Sequence, residues 1–72
     1  MRIKLLTISD IKEFVSAANR ARGNVTIVQD RYVINAKSIL GIMSLDLTKT
    51  LNIVVDDVAD MVLFRCFQVV NE

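Results

Sequence analysis

The sequence predicts an α+β fold with the element order β-α-β-β-α-β-α, a mostly antiparallel sheet with its helices on one face. Three observations lead there. β-Branched and aromatic runs occupy residues 25–28, 32–34 and 51–55, the residue types that fit a pleated, half-buried strand. Apolar residues recur at helical spacing from Ile11 and again from Ala59. Only Gln29, Asp30 and Arg31 separate two of the strand-like runs, which is short enough for a hairpin.

Each element has its own signal. Residues 2–6 open with polar–apolar alternation (Arg2, Ile3, Lys4, Leu5), the pattern of a half-buried strand. Thr7, Ser9 and Asp10 then supply N-cap oxygens, and Thr7 with Asp10, or Asp10 with Glu13, has capping-box spacing. Ile11, Phe14, Val15, Ala18 and Ala21 form the apolar stripe of an amphipathic helix. Gly23, after the basic residues Arg20 and Arg22, suits the end of that helix. The hairpin turn lacks glycine, so Asp30 is the candidate for a positive φ. Ser38 opens a short helix running to about Leu45. After a polar turn at residues 46–50 comes the strand at residues 51–55. Asp56 or Asp57 caps the last helix, whose stripe is Ala59, Val62, Leu63, Cys66 and Val70. Phe64 and Phe67 fall beside that stripe, to widen the core or make an apolar contact surface.

The composition narrows the function. Seventy-two residues make one domain, residues 1–72. A chain this short buries a small share of its surface. It is rich in core material, with 53% hydrophobic residues against roughly 45–50% in a typical domain by a count that also includes glycine. Cys66 is the sole cysteine, so no intrachain disulfide forms and a reducing cytoplasm is the expected compartment. A net charge of +1 supplies no long-range field for nucleic acid or membrane. The N-terminal residues read as no signal peptide, and no run approaches the ~20 apolar residues of a membrane span. No metal-ligand spacing and no glycine-rich phosphate loop occurs. No cofactor is implied.

The run Ile34-Asn35-Ala36-Lys37-Ser38-Ile39-Leu40-Gly41-Ile42-Met43-Ser44-Leu45 resembles the regulatory-serine segment of the HPr family, the small phosphocarriers of bacterial sugar phosphotransferase systems. The resemblance is strong from Tyr32 to about Leu47 and extends by pattern over nearly the whole chain. It implies an open-faced β-sandwich, a four-stranded antiparallel sheet with three helices on one face. It also implies that Ser38 is a regulatory phosphorylation site. Lys37, Ile39, Leu40 and Met43 would then form the surface that docks on partners.

The family carries phosphoryl on a histidine, and this sequence contains none. Counting back from Ser38 places Thr7 at the histidine and Ser9 near the usual arginine of a degenerate active-site loop. Neither replaces its counterpart: a threonine ester is far less reactive than a phosphoramidate, and the loop lacks a cation to steady the transferring group. The resemblance is therefore greatest to the histidine-lacking, catabolite-repression HPr-like proteins. It implies HPr kinase/phosphorylase, a transcriptional regulator or phosphotransferase-system proteins as partners, and no catalysis. A homodimer is a further expectation.

Plainer readings stand beside these. Ser38 as a mere N-cap needs no phosphate. Under the short helix, Ile42 and Leu45 pack inward while Ile39, Leu40 and Met43 stay partly exposed, and exposed apolar clusters mark contact surfaces. Cys66 reads as buried and inert. Asp56 and Asp57 read as a cap and a dipole partner. The competing functions are the phosphocarrier itself, which lacks its histidine, and a structural or oligomerisation domain using Phe64, Phe67 or Met61.

Overall fold

The computed structural model describes residues 1–69. Their element order is β1 (Arg2–Ile3), α1 (Ile8–Arg20), β2 (Val25–Gln29), β3 (Tyr32–Asn35), α2 (Ile39–Met43), β4 (Leu51–Val55) and a C-terminal 3₁₀ helix (Val58–Phe67). The four strands form one antiparallel sheet in the order β1-β4-β2-β3. This is the expected fold class and connectivity.

β2 and β4 pair with Ile27 opposite Ile53, and β2 and β3 with Ile27 opposite Ile34. Alternation therefore sends Val25, Ile27, Leu51 and Ile53 to one face, where they are buried. Ile11, Phe14, Ala17 and Ala18 of α1, Ile42 of α2 and Phe64 of the last helix close over them in a single core. Val33 and Val54 lie on the open face and are exposed.

β1 is shorter than the alternation predicts. The Lys4 N–H donates to the Phe67 carbonyl, and the Leu6 N–H donates to the Asp10 carboxylate. The backbone past Ile3 is thus held by other partners than a strand. Ile3 also bridges to Gln68 on the side away from β4, so the chain after the last helix covers this sheet edge.

Asp30 takes the positive φ of the β2–β3 turn, at 53°. Gly23 has no such role. α1 ends at Arg20 with Ala21 as an extended cap, and no glycine has a positive φ. The smallness of Gly23 matters for a close approach instead, since a Cβ there would lie 3.2 Å from Asp56 Cβ and 3.3 Å from Asp57 N.

The last helix departs most from expectation. Asp57 is its cap. Its buried residues are Asp60, Phe64 and Phe67, while Ala59, Val62 and Cys66 are exposed and Leu63 is half-buried; Val70 lies outside the described residues. The element is a 3₁₀ helix where the stripe predicts an α-helix, and its inward positions fall one residue later than expected. Two interactions set that phase. The Asp60 carboxylate turns inward to accept the N–H groups of Arg22 (3.0 Å) and Gly23 (2.9 Å). Phe64 and Phe67 pack on Phe14, with ring centroids 5.2 and 5.7 Å apart. Each buried phenylalanine contributes about 1.5–3 kcal/mol, more than the smaller residues of the alternative stripe. Consequently the Cys66 thiol is exposed rather than buried, and Phe64 and Phe67 belong to the core and offer no surface to a second subunit.

Candidate functional site

The site comprises α2 with its N-terminal approach, and the loop between β1 and α1. Asn35 prepares the first. Its side-chain oxygen accepts the Lys37 N–H (2.9 Å) and its carbonyl accepts the Ser38 N–H (3.0 Å), so the chain turns sharply out of β3. Ser38 then adopts an extended conformation and its Oγ accepts the Gly41 N–H at 3.1 Å, which makes it an N-cap. Ser44 closes the other end, its hydroxyl donating to the Gly41 carbonyl at 2.6 Å.

Five residues give α2 little more than one turn, so only part of its apolar content reaches the core. Ile42 is fully buried and Leu45, just beyond, is 7% exposed. Leu40 is 79%, Met43 53% and Ile39 37% exposed, and Lys37 and Ser38 are exposed beside them. The structure thus brings together every residue that the sequence singles out around Ser38. Gly41 sets the height of this helix: a Cβ there would come within 2.6 Å of Ile34 Cγ2.

The loop before α1 is built as a helix start. Thr7 is the N-cap; its Oγ1 accepts the Asp10 N–H at 3.0 Å. The Asp10 carboxylate reaches back to the N–H groups of Leu6 (2.9 Å) and Thr7 (3.2 Å). This reciprocal capping box occupies the N–H groups of Leu6, Thr7 and Asp10, and the Asp10 carboxylate sets an anion where another anion would approach. Ser9 is exposed on the first turn of α1.

The sequence reading missed the flank of this loop. Leu6 (74%) and Ile8 (63%) are exposed, and with Leu5, Ile11 and Leu47 they line a groove of about 500 Å³ that Lys4 borders. No local pattern marks it: Ile8 stands three residues before Ile11, in step with the stripe of α1, and Leu47 reaches the groove from across the fold. The Asp60 latch was also missed. Its partners lie 37 and 38 residues away, and no local pattern reports that. Those two N–H groups, Arg22 first and then Gly23, hold the Asp60 carboxyl below its ordinary range. At the groove's far rim the Thr48 hydroxyl and N–H do the same for Asp46.

Among the described residues no group of side chains could hold a metal ion. No helix among them is long and apolar enough to cross a membrane.

Residues 9–58 match the family described as the PTS HPr component phosphorylation site. That span contains Ser38 and all of α2, and begins just after Thr7. No curated protein sequence matches the chain. Among solved structures, the chain is similar to selenomethionine Crh, the Bacillus subtilis catabolite repression protein, at 26% identity and a TM-score of 0.63. The likeness covers 89% of this chain and 75% of Crh, whose crystal structure is described as an intertwined, domain-swapped dimer.

Proposed function

The chain belongs to the HPr family, and we propose that within it this protein is a regulatory docking module that carries no phosphoryl group on its α1 loop. On this reading Ser38 is the switch. Ile39, Leu40 and Met43, with Lys37 at their edge, are the contact surface for a protein partner in the cytoplasm. The partner is a transcriptional regulator or a component of the sugar phosphotransferase system, and HPr kinase/phosphorylase acts on Ser38.

One observation carries the proposal: Leu40 and Met43 stand 79% and 53% exposed beside an exposed Ser38, on a helix already anchored through Ile42. Burying Leu40 against a partner would contribute about 1.5–3 kcal/mol, and Met43, already half-buried, roughly half of that. A phosphate on Ser38 adds about −1.5 to −2 charges beside Lys37. It would change the electrostatics of the patch without touching the core, and arginines of a partner read such a group well. The absence of histidine and the Asp10 carboxylate on the Leu6 and Thr7 N–H groups support the silent loop.

Incubation with HPr kinase/phosphorylase and ATP tests the switch. Mass spectrometry should find one phosphate on Ser38 and none on Ser38→Ala; an unlabelled wild-type chain sinks this role. Enzyme I with phosphoenolpyruvate should leave the chain unlabelled, and an acid-labile adduct would restore the carrier reading. The dimeric crystal structure of Crh supports a second proposal, that this chain also dimerises. Sedimentation should then show association with rising concentration, and a monomer throughout would refute it.

A further inference from the structure

Beside the apolar groove lies a second depression of about 530 Å³, between β1, the β2–β3 turn and the loop before β4. Its wall holds Arg2, Lys4 and Lys49 with the single carboxylate of Asp30. Three of the nine cations in the sequence therefore line one concavity of a chain whose net charge is only +1. Lys4 and Thr48 belong to both depressions, so the basic hollow continues directly into the groove formed by Leu6, Ile8 and Leu47.

Lys49 is not locked in place. Its ammonium stands 4.0 Å from the Asp46 carboxylate, with 65% of its side chain exposed, and such a pair holds weakly. The Asp46 carboxylate is already engaged by the Thr48 N–H and hydroxyl. Flexible ammonium groups around an open hollow make a poor cage for a small anion, which needs rigid, converging donors. They suit the carboxylates of a longer chain, whose apolar side chains can be buried in the adjoining groove.

We propose that this composite surface receives an acidic segment of a partner protein, an aliphatic or aromatic side chain entering the groove of Leu6, Ile8 and Leu47 and neighbouring carboxylates resting on Lys4 and Lys49. The inference rests on the reading of the chain as a docking module, and does not require phosphorylation of Ser38. Charge steers the segment to the hollow, and apolar burial retains it.

The test is an NMR titration of the full, isotope-labelled chain. The probe is a capped peptide in which a leucine–phenylalanine pair precedes a run of glutamates. Amide shifts should group at residues 2–6 and 47–50. A Lys4→Gln/Lys49→Gln chain, altered only at exposed positions, should keep a folded spectrum and bind about five- to tenfold more weakly, the effect of removing two exposed charge pairs. Raising salt from about 0.05 to 0.3 M should weaken binding of the wild type in the same direction. The Ser38→Ala chain should bind as the wild type does, even if the kinase test fails. The proposal is overturned if millimolar peptide moves nothing at those residues, or if a glutamine version of the peptide binds equally well. Shifts confined to residues 39–43 would also overturn it, while leaving the α2 surface intact.

Discussion

Gly41→Ala is the substitution that tests the construction of the α2 surface. The added methyl would lie 2.6 Å from Ile34 Cγ2, 3.1 Å from Ser38 Oγ and 3.4 Å from Ser38 Cβ. Carbon atoms sit well at about 3.5–4.0 Å, so roughly 1 Å must be found. Ile34 yields little, because a β-branched side chain is stiff about χ1 and its backbone is paired to Ile27. The short helix must lift instead. Overpacking of this kind costs about 1–3 kcal/mol, while alanine gains about 1 kcal/mol over glycine in helix propensity. The net loss is then about 1 kcal/mol, in a chain whose whole stability is about 4–11 kcal/mol at its size. The clash involves one methyl group of Ile34, so a double-mutant cycle isolates it. Ile34→Ala removes Cγ2, and in that background Gly41→Ala should become neutral or stabilising. Ile34→Val keeps the methyl and should give no relief. Urea unfolding, followed by circular dichroism at constant m-value, measures all the variants. A coupling between Gly41→Ala and Ile34→Ala below about 0.5 kcal/mol, the scatter expected of independent sites, would refute the close approach of α2 to β3.

Three further outcomes follow from the core and the caps. Phe64→Ala should cost about 3–5 kcal/mol and unfold much of the population, whereas Cys66→Ser, at an exposed position, should stay within about 0.5 kcal/mol; equal urea midpoints for the two would mean the last helix has the other phase. Thr7→Ala should lower stability by about 1 kcal/mol through loss of the α1 cap, and an unchanged midpoint would deny the capping box. The third concerns acid. Asp60 titrates below its ordinary 3.8 in the folded chain, so the unfolded chain binds more protons in the window beneath that value. Its contribution is therefore complete at neutral pH and fades as pH falls through 3.8 toward the lower folded value. Asp60→Asn should be less stable than wild type at neutral pH and should lose less on acidification, as urea midpoints at successive pH values would reveal; parallel pH profiles for the two chains would contradict the latch.

What the sequence disclosed and what it withheld divide along the range of the forces involved. Thr7 and Asp10, Asp30, Ser38 and Asp57 are legible because a cap or a tight turn involves atoms only a few residues apart. The β2, β3 and β4 strands are legible because alternation is local. β1 was overextended because its continuation is decided by the Phe67 carbonyl, at the other end of the chain. The last helix was misphased for the same reason. Its own residues offer two candidate inward faces, one of them carrying Asp60, and only Phe14 and the Arg22 and Gly23 N–H groups choose between them. The candidate surface on α2 was readable because five residues cannot bury four large apolar side chains. The groove of Leu6 and Ile8 was not, because it closes only when Leu47 arrives across the fold.

The two parts of the candidate site differ in what the fold asks of them. The loop before α1 has a structural task, to start a helix, and Thr7 with Asp10 performs it, leaving no backbone N–H at Leu6 or Thr7 for a phosphoryl group. Nothing in that loop is unexplained by stability, apart from the exposure of Leu6 and Ile8. α2 is the reverse case. Ile42, Leu45 and the Ser38 cap account for its attachment, and polar residues in place of Leu40 and Met43 would leave that attachment unchanged. Apolar groups that no core interaction uses carry a cost in solubility. The proposed partner gives them a use, because burial against it returns the transfer free energy that folding leaves unclaimed. Leu40→Ser/Met43→Ser should accordingly leave the unfolding midpoint within about 0.5 kcal/mol of wild type while abolishing capture of a Ser38-dependent partner. A large loss of stability in that variant would move these side chains from docking to structure and remove the physical basis for the function proposed here.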